Sequence, residues 1–327
     1  MKKLRIIISL CLALLMLTAL CTAAFAEEEP AKLSIAALKG PTAMGLVKLM
    51  HDTDNSEELQ KNYEFTLAAS ADAVTPLLIK GELDMACVPA NLASVLYNKT
   101  EGQIITLAVN TLGVLYIVEK GESISSVADL KGKSIVASGK GSTPEYTLRY
   151  LLSENGIDPD ADVMIDWKSE HSECVAALAA GTAEIALLPQ PFVTVAQNKI
   201  SALRMALDLT EEWDRLGNSS GLITGVIVAR KDAVEAASEA VNAFLTEYAQ
   251  SVAWVNENTK EAGELIGSYG IVDASVAETA LPYCNIVCIT GDEMQEKLSG
   301  YLQVLFDAAP AAAGGAMPEQ DFYYGAE

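Results

Sequence analysis

A segment of this chain recurs at a fixed distance. Gly81-Glu82-Leu83-Asp84-Met85-Ala86-Cys87-Val88-Pro89 aligns with Gly181-Thr182-Ala183-Glu184-Ile185-Ala186-Leu187-Leu188-Pro189, an offset of 100 residues (181 − 81). Each copy reads as the end of a helix, a glycine stop, an acidic residue, a buried strand and a proline opening the next helix. Gly40-Pro41-Thr42 aligns in the same way with Gly141-Ser142-Thr143, at 101 residues (141 − 40), each after a strand and before a helix. Lys39 and Lys140 precede those glycines, and Lys48 and Arg149 take equivalent helix positions. Any two βαβ units share some of this punctuation. The sharper reading is a duplication: residues 31–112 and 113–222 build two similar lobes that face one another.

The rest of the chain fits an α/β protein, in which short apolar runs alternate with amphipathic helices. Strands are expected at Leu33–Leu38, Tyr63–Ala69, Met85–Val88, Ile105–Asn110, Gly113–Glu119, Ser134–Ser138, Val163–Trp167, Glu184–Leu188, Leu203–Leu207 and Gly225–Arg230. Helical periodicity covers Met44–Met50, Leu92–Tyr97 and Tyr146–Leu152. After Arg230 the alternation stops, and helices are expected over Ala233–Glu257, Glu261–Tyr269, Ala274–Leu281 and Asp292–Phe306, packed back on the first lobe. Lobe 1 is then 31–112 plus 225–327, lobe 2 is 113–224, and the chain crosses between them twice. Two crossings make a hinge.

The first 26 residues read as a signal peptide. Lys2, Lys3 and Arg5 form the positive region, Ile6 to Leu20 the apolar core, and Ala24-Phe25-Ala26 the cleavage site. The alternative is a lipid anchor on Cys21, where Leu20 stands at the position that lipoprotein processing wants small. A secreted, extracytoplasmic location follows from either. Losing three cations takes the net charge from −22 to −25. So acidic a chain offers no surface to nucleic acid or to anionic membranes. Cys87, Cys174, Cys284 and Cys288 remain, with His51 and His171, and their spacing assembles no metal site. The compartment permits a disulfide, but the spacing chooses no partners, and Cys87 reads as a small buried apolar residue.

In an open α/β sheet, ligands collect where strands end and helices begin. The candidate ligand-binding residues are therefore Gly40, Pro41, Thr42, Ser70, Asn91, Asn110, Gly141, Ser142, Thr143 and Gln190. Glycine lets a backbone approach a ligand, and the free N–H groups of a first helical turn bind anions or polar edges. Each loop also has an ordinary use. Ser142 and Glu145 fit a capping box, Asp72 a first-turn acid, and Lys39 and Lys140 solvated lysines that could instead draw in an acidic solute. Tyr116, Trp167 and Trp213 could stack on a planar ligand or belong to the core. No nucleophile–base set and no phosphate loop stands out, so no catalytic residue and no cofactor is expected.

The run Asp129-Leu130-Lys131-Gly132-Lys133-Ser134-Ile135, with Gly-Ser-Thr opening the next helix, resembles the nitrate/taurine/sulfonate-type solute-binding proteins of ABC importers. Gly81–Asn91, Leu187–Phe192 and the terminal Met317-Pro318-Glu319-Gln320-Asp321-Phe322-Tyr323-Tyr324 look like the same family. The resemblance implies a type II periplasmic-binding-protein fold with two α/β lobes closing on a small polar or anionic solute. It also implies an ABC permease with its ATPase subunits as partners, and a monomer. The same family includes thiamine-precursor carriers and a catalytic pyrimidine synthase whose CCCFC motif has no match here. A catalytic relative or a ligand-sensing ectodomain remains the alternative.

Overall fold

A computed structural model describes residues 32–218 and 220–326; the leader, its cleavage site and Cys21 lie outside the described residues. The strands are β1 (Leu33–Leu38), β2 (Tyr63–Ala68), β3 (Met85–Pro89), β4 (Ile104–Leu112), β5 (Leu115–Lys120), β6 (Ser134–Ser138), β7 (Met164–Lys168), β8 (Ile185–Pro189), β9 (Leu203–Asp208), β10 (Ile223–Arg230) and β11 (Ile286–Ile289). They form two sheets, ordered β11-β4-β10-β3-β1-β2 and β7-β6-β8-β5-β9. Leaving out β11, the two orders are the same pattern. β1 pairs parallel with β2 and β3, as β6 does with β7 and β8. β10 then runs antiparallel against β3, as β5 does against β8. The matching glycines Gly81 and Gly181 sit at φ 79 and 72, the left-handed cap that ends a helix and that glycine adopts without strain.

The chain passes between the sheets at Gly113-Val114 and again before β10, so the mixed α/β architecture with two crossings is present as expected. The central strands β3, β4 and β10 of the first sheet are buried on both faces, which is why they read as nearly continuous apolar runs. Ile35, Ala37, Cys87, Leu107 and Ile227 pack on Met44, Val47, Phe244, Tyr248 and Val252. Ala36, Ala86, Val88, Val109 and Val226 face the other way, in a core that also holds Leu115, Ile117, Ile135 and Leu187 of the second sheet. One apolar core therefore runs through both halves, and each large side chain fully buried there contributes about 1.5–3 kcal/mol. The outer face of the second sheet, Tyr116, Val118, Val136 and Leu188, is covered by Cys174, Val175, Leu178, Val193 and Ala196.

Three expectations change. The helix expected over Ala233–Glu257 is broken at Ala237 (φ −137, ψ 42) into Lys231–Ala236 and Ser238–Glu257. The short strand β11 follows Asn285, whose φ of 44 turns the chain sharply, and is too brief to show alternation. The last long helix, Gly291–Ala308, does not rest on the first sheet alone. Its Tyr301 packs on Trp213 at 5.5 Å between ring centres, and its Leu298 and Leu302 share a core with Leu148 and Leu151 of the second half. The four cysteines among the described residues are free thiols, and burial pushes Cys87 up to about 12.

Candidate ligand-binding cleft

Loops from both sheets converge on one cavity of about 420 Å³. From the first sheet come Leu38–Thr42 after β1, Ala69–Asp72 after β2, and Pro89 and Leu92 after β3. From the second come Ser138–Pro144 after β6, Lys168–His171 after β7, and Pro189 after β8. These are the carboxyl ends of the parallel strands, so the helices Ala71–Lys80, Ala90–Lys99, Thr143–Glu154 and His171–Ala179 all begin at or beside the cavity. Their N-termini carry partial positive charge. Lys39, Lys140 and Lys168 add three ammonium groups to the lining, against the carboxylates of Asp72 and Glu170. Lys168 is held charged by a hydrogen bond from its Nζ to Asp166 at 2.7 Å, and Glu170 is occupied as the cap of its own helix.

The loop after β6 is built from local contacts. Gly141 has φ 76, which lets the chain double back into the helix at Thr143. The expected capping box is replaced by a shifted version. Glu145 accepts from the Gly141 N–H at 2.6 Å, and Ser142 Oγ donates to the Gly139 carbonyl at 2.8 Å. On the opposite wall Thr42 Oγ1 donates back to the Leu38 carbonyl at 3.2 Å. The hydroxyls of both loops thus brace their own turns.

The floor of the second wall holds a serine and a histidine. Ser138, 2% exposed at the end of β6, lies 2.5 Å from His171 Nδ1. The imidazole is half-buried and packs against Phe192, with ring centres 5.1 Å apart. Burial lowers its pKa to about 4, so the ring is neutral at physiological pH.

Of the ten residues expected to bind ligand, Gly40, Pro41, Thr42, Ser70, Gly141, Ser142 and Thr143 line this cavity together. Asn91, Asn110 and Gln190 do not line it, and their side chains have other partners. Asn91 donates to the Ala312 carbonyl at 3.1 Å and accepts from Thr143 Oγ1. Asn110 accepts from Thr111 Oγ1 and reaches the Thr42 carbonyl at 3.4 Å, bracing that loop from behind. Gln190 Oε1 accepts from Thr194 N and Oγ1, at 3.3 and 2.9 Å. Tyr116 and Trp213 are core residues, and the Trp213 indole donates to the Ser220 carbonyl at 3.0 Å. Sequence reasoning missed Ser138 and the stretch Lys168–His171. The repeat contained the signal: at an offset of 100, Ser70 corresponds to Glu170.

The chain matches a family model described as ABC transporter, phosphonate, periplasmic substrate-binding protein, over residues 56–279. No curated protein sequence matches it. Among solved structures it resembles an ABC transporter protein of Parabacteroides distasonis at 24% identity, covering 90% of this chain and 98% of that one with a TM-score of 0.73. It also resembles the periplasmic aliphatic sulphonate-binding protein SsuA of Escherichia coli, at 16% identity over 90% and 92% with a TM-score of 0.71. The alkanesulfonate-binding SsuA of Xanthomonas axonopodis pv. citri, solved bound to MOPS, matches at 17% identity over 89% and 96% with a TM-score of 0.68. At these identities the likeness to the solved structures is one of fold.

Proposed function

This chain belongs to the phosphonate-type periplasmic substrate-binding proteins of ABC transporters, and on that premise we propose that its cleft captures a small anionic organic solute. As a member of that family it is the extracytoplasmic binding component of an importer, and it delivers its solute to a membrane permease driven by ATPase subunits. The observation that carries the anionic reading is the convergence of several helix N-termini on one cavity, with Lys39 and Lys140 beside them and salt-bridged to no carboxylate among the described residues, in a protein whose net charge is −22. Such a cleft concentrates positive potential against the field of the whole molecule and so selects for negative charge.

We assign one lobe to residues 31–112 plus 225–327 and the other to 113–224, with the cavity between them and the two crossings as hinge. The two sheets, drawn from 33–112 with 223–289 and from 115–208, support that division. Solute bound to both walls stabilises the closed arrangement by its differential affinity for it. Gly40, Pro41, Thr42, Ser70, Gly141, Ser142 and Thr143 supply the contacts in this reading. The protein acts as a monomer, released by cleavage after Ala26.

Ser138 and His171 are the one pair in the cleft that an enzyme could use as nucleophile and base. Ser138 is almost wholly buried, and among the described residues no carboxylate hydrogen-bonds to the imidazole to orient it as a base. The binding reading therefore stands ahead. A thermal-shift screen of phosphonates, sulfonates, nitrate, small carboxylic acids, pyrimidines and purines, followed by titration calorimetry, tests it. Ligand should raise the melting temperature in a dose-dependent way. Recovery of a chemically altered solute after incubation with the purified protein would sink the transport reading.

A further inference from the structure

Where the first sheet meets the second crossing, its strands β4 and β10 fall out of step and recover. Ile223 pairs with Leu112 and Gly225 with Thr111, so Thr224 is the extra residue of a bulge on β10. Val226 then pairs with Val109, so Asn110 is the extra residue on β4, and the second bulge restores the register that the first displaces. The packing shows the same slip. Ile223 and Val226, three residues apart, join one core, where unbroken alternation would put them on opposite faces. A bulge re-aims the side chain it carries. Asn110 turns to the back of the Thr42 loop, and Thr224 lines the cavity between the sheets. Gly225 lies against that loop with no room for a side chain: a Cβ would come within 2.5 Å of Asn110 Oδ1 and 2.6 Å of Thr42 Cγ2. Thr224 itself is half-buried, yet its Oγ1 is fully covered and has no hydrogen-bond partner among the described residues. The surface it gives to the cavity is therefore not its oxygen.

Resting on the solute-binding reading above, we infer that Thr224 is a specificity-determining residue whose hydroxyl turns into the cleft to hydrogen-bond an uncharged polar group on the solute's organic part. A buried, unpaired hydroxyl is destabilising, so its retention in a cavity wall points to a use there. Only the side chain has to move, because rotation about Cα–Cβ between staggered positions carries the oxygen from one side of the residue to another. Pro89 pairs with the neighbouring Gly225, and Leu115, just past the first crossing, pairs with Pro189. All three line the cavity, and none has a side chain that can donate or accept. A solute with a hydrocarbon at this floor leaves the threonine hydroxyl unpaired. A solute with an alcohol there gives it a partner, and a hydroxyl can serve that partner as donor or as acceptor. Two solutes that differ by one such group are separated by more than an exposed hydrogen bond would give, because the site's own buried hydroxyl is satisfied by one and not by the other.

Ethanesulfonate and 2-hydroxyethanesulfonate carry the same charge and differ by one hydroxyl, so titration calorimetry with both probes isolates that group. The wild type should prefer the hydroxylated probe by about ten-fold or more. Thr224→Val keeps the shape and removes the hydroxyl, and should abolish most of that preference. Thr224→Ser, which restores a hydroxyl, should keep most of it. The empty Thr224→Val protein should unfold at a urea midpoint no lower than that of the wild type, since what it loses is an unpaired group. A preference that survives in Thr224→Val overturns the proposal, as does a wild type that does not tell the probes apart. A lowered midpoint also overturns it, because the hydroxyl would then have a partner in the empty protein. Failure of both probes to bind the wild type overturns it too, whereas the solute-binding reading survives if another compound of the wider screen raises stability.

Discussion

Thr143 Oγ1 donates to Asn91 Oδ1 at 3.3 Å, and both side chains are fully buried. One residue opens the helix after β6, the other lies in the first turn of the helix after β3, so the bond ties the two halves together beside the cavity. Asn91 also holds the Ala312 carbonyl. Asn91→Ala removes the tie to Thr143 and leaves the Ala312 carbonyl without its amide donor, and should cost about 1–3 kcal/mol in urea unfolding.

Gly141 is the next test. A Cβ there would meet nothing within 4 Å, but φ is 76, so the penalty is backbone strain and not a clash. Gly141→Val should destabilise by about 1–2 kcal/mol, and Gly141→Asn by visibly less, since asparagine tolerates this region. Denaturant midpoints of the two variants decide it. Equal losses would mean that crowding, not conformation, governs the position.

Lys39 and Lys140 stand at the cleft from opposite sheets, exposed and without a carboxylate bonded to either among the described residues. Replacing both with alanine should slow association of an anionic solute by about ten-fold at low salt and leave dissociation nearly unchanged. The deficit should shrink as added salt screens the field. Stopped-flow binding at two ionic strengths measures this.

Glu119 carries a pH dependence. Burial alone would push its carboxyl up. Hydrogen bonds from Ser123 Oγ and N, Ile124 N and Arg204 outweigh that and hold it below the usual range. A depressed folded value means that its stabilisation is present above the unfolded pKa of about 4.3 and is lost as pH falls through the folded value. Glu119→Gln should therefore cost about 2 kcal/mol at pH 7 and markedly less at pH 3. Urea unfolding at the two pH values gives the comparison.

The repeat made the architecture readable because matched strand–glycine–helix junctions demand matched βαβ units. β1 and β6 fall where their apolar runs end, and the helix starts at Pro41 and Thr143 follow the small residues that mark them. The side chains at those junctions were less legible. Asn91 and Gln190 have the chemistry of ligand contacts, but whether an amide turns to solvent or to a carbonyl depends on residues far along the chain. For Asn91 that residue is Ala312, 221 positions away. His171 was visible only as a lone histidine, because its partner Ser138 belongs to a different strand and is brought to it by parallel pairing of β6 and β7.

β10 lies between β3 and β4 and pairs with both along most of its length. Before residues 223–230 exist, β4 has no place beside β3, and the first sheet is a fragment of three parallel strands with an open apolar edge. The second sheet draws all of its strands from one continuous stretch, 115–208. Assembly order is therefore written into the topology: the half encoded later acquires protected amides first, and the earlier half waits. During that wait the β3 edge is the segment most open to pairing with a neighbouring chain, and aggregation during folding should trace to it.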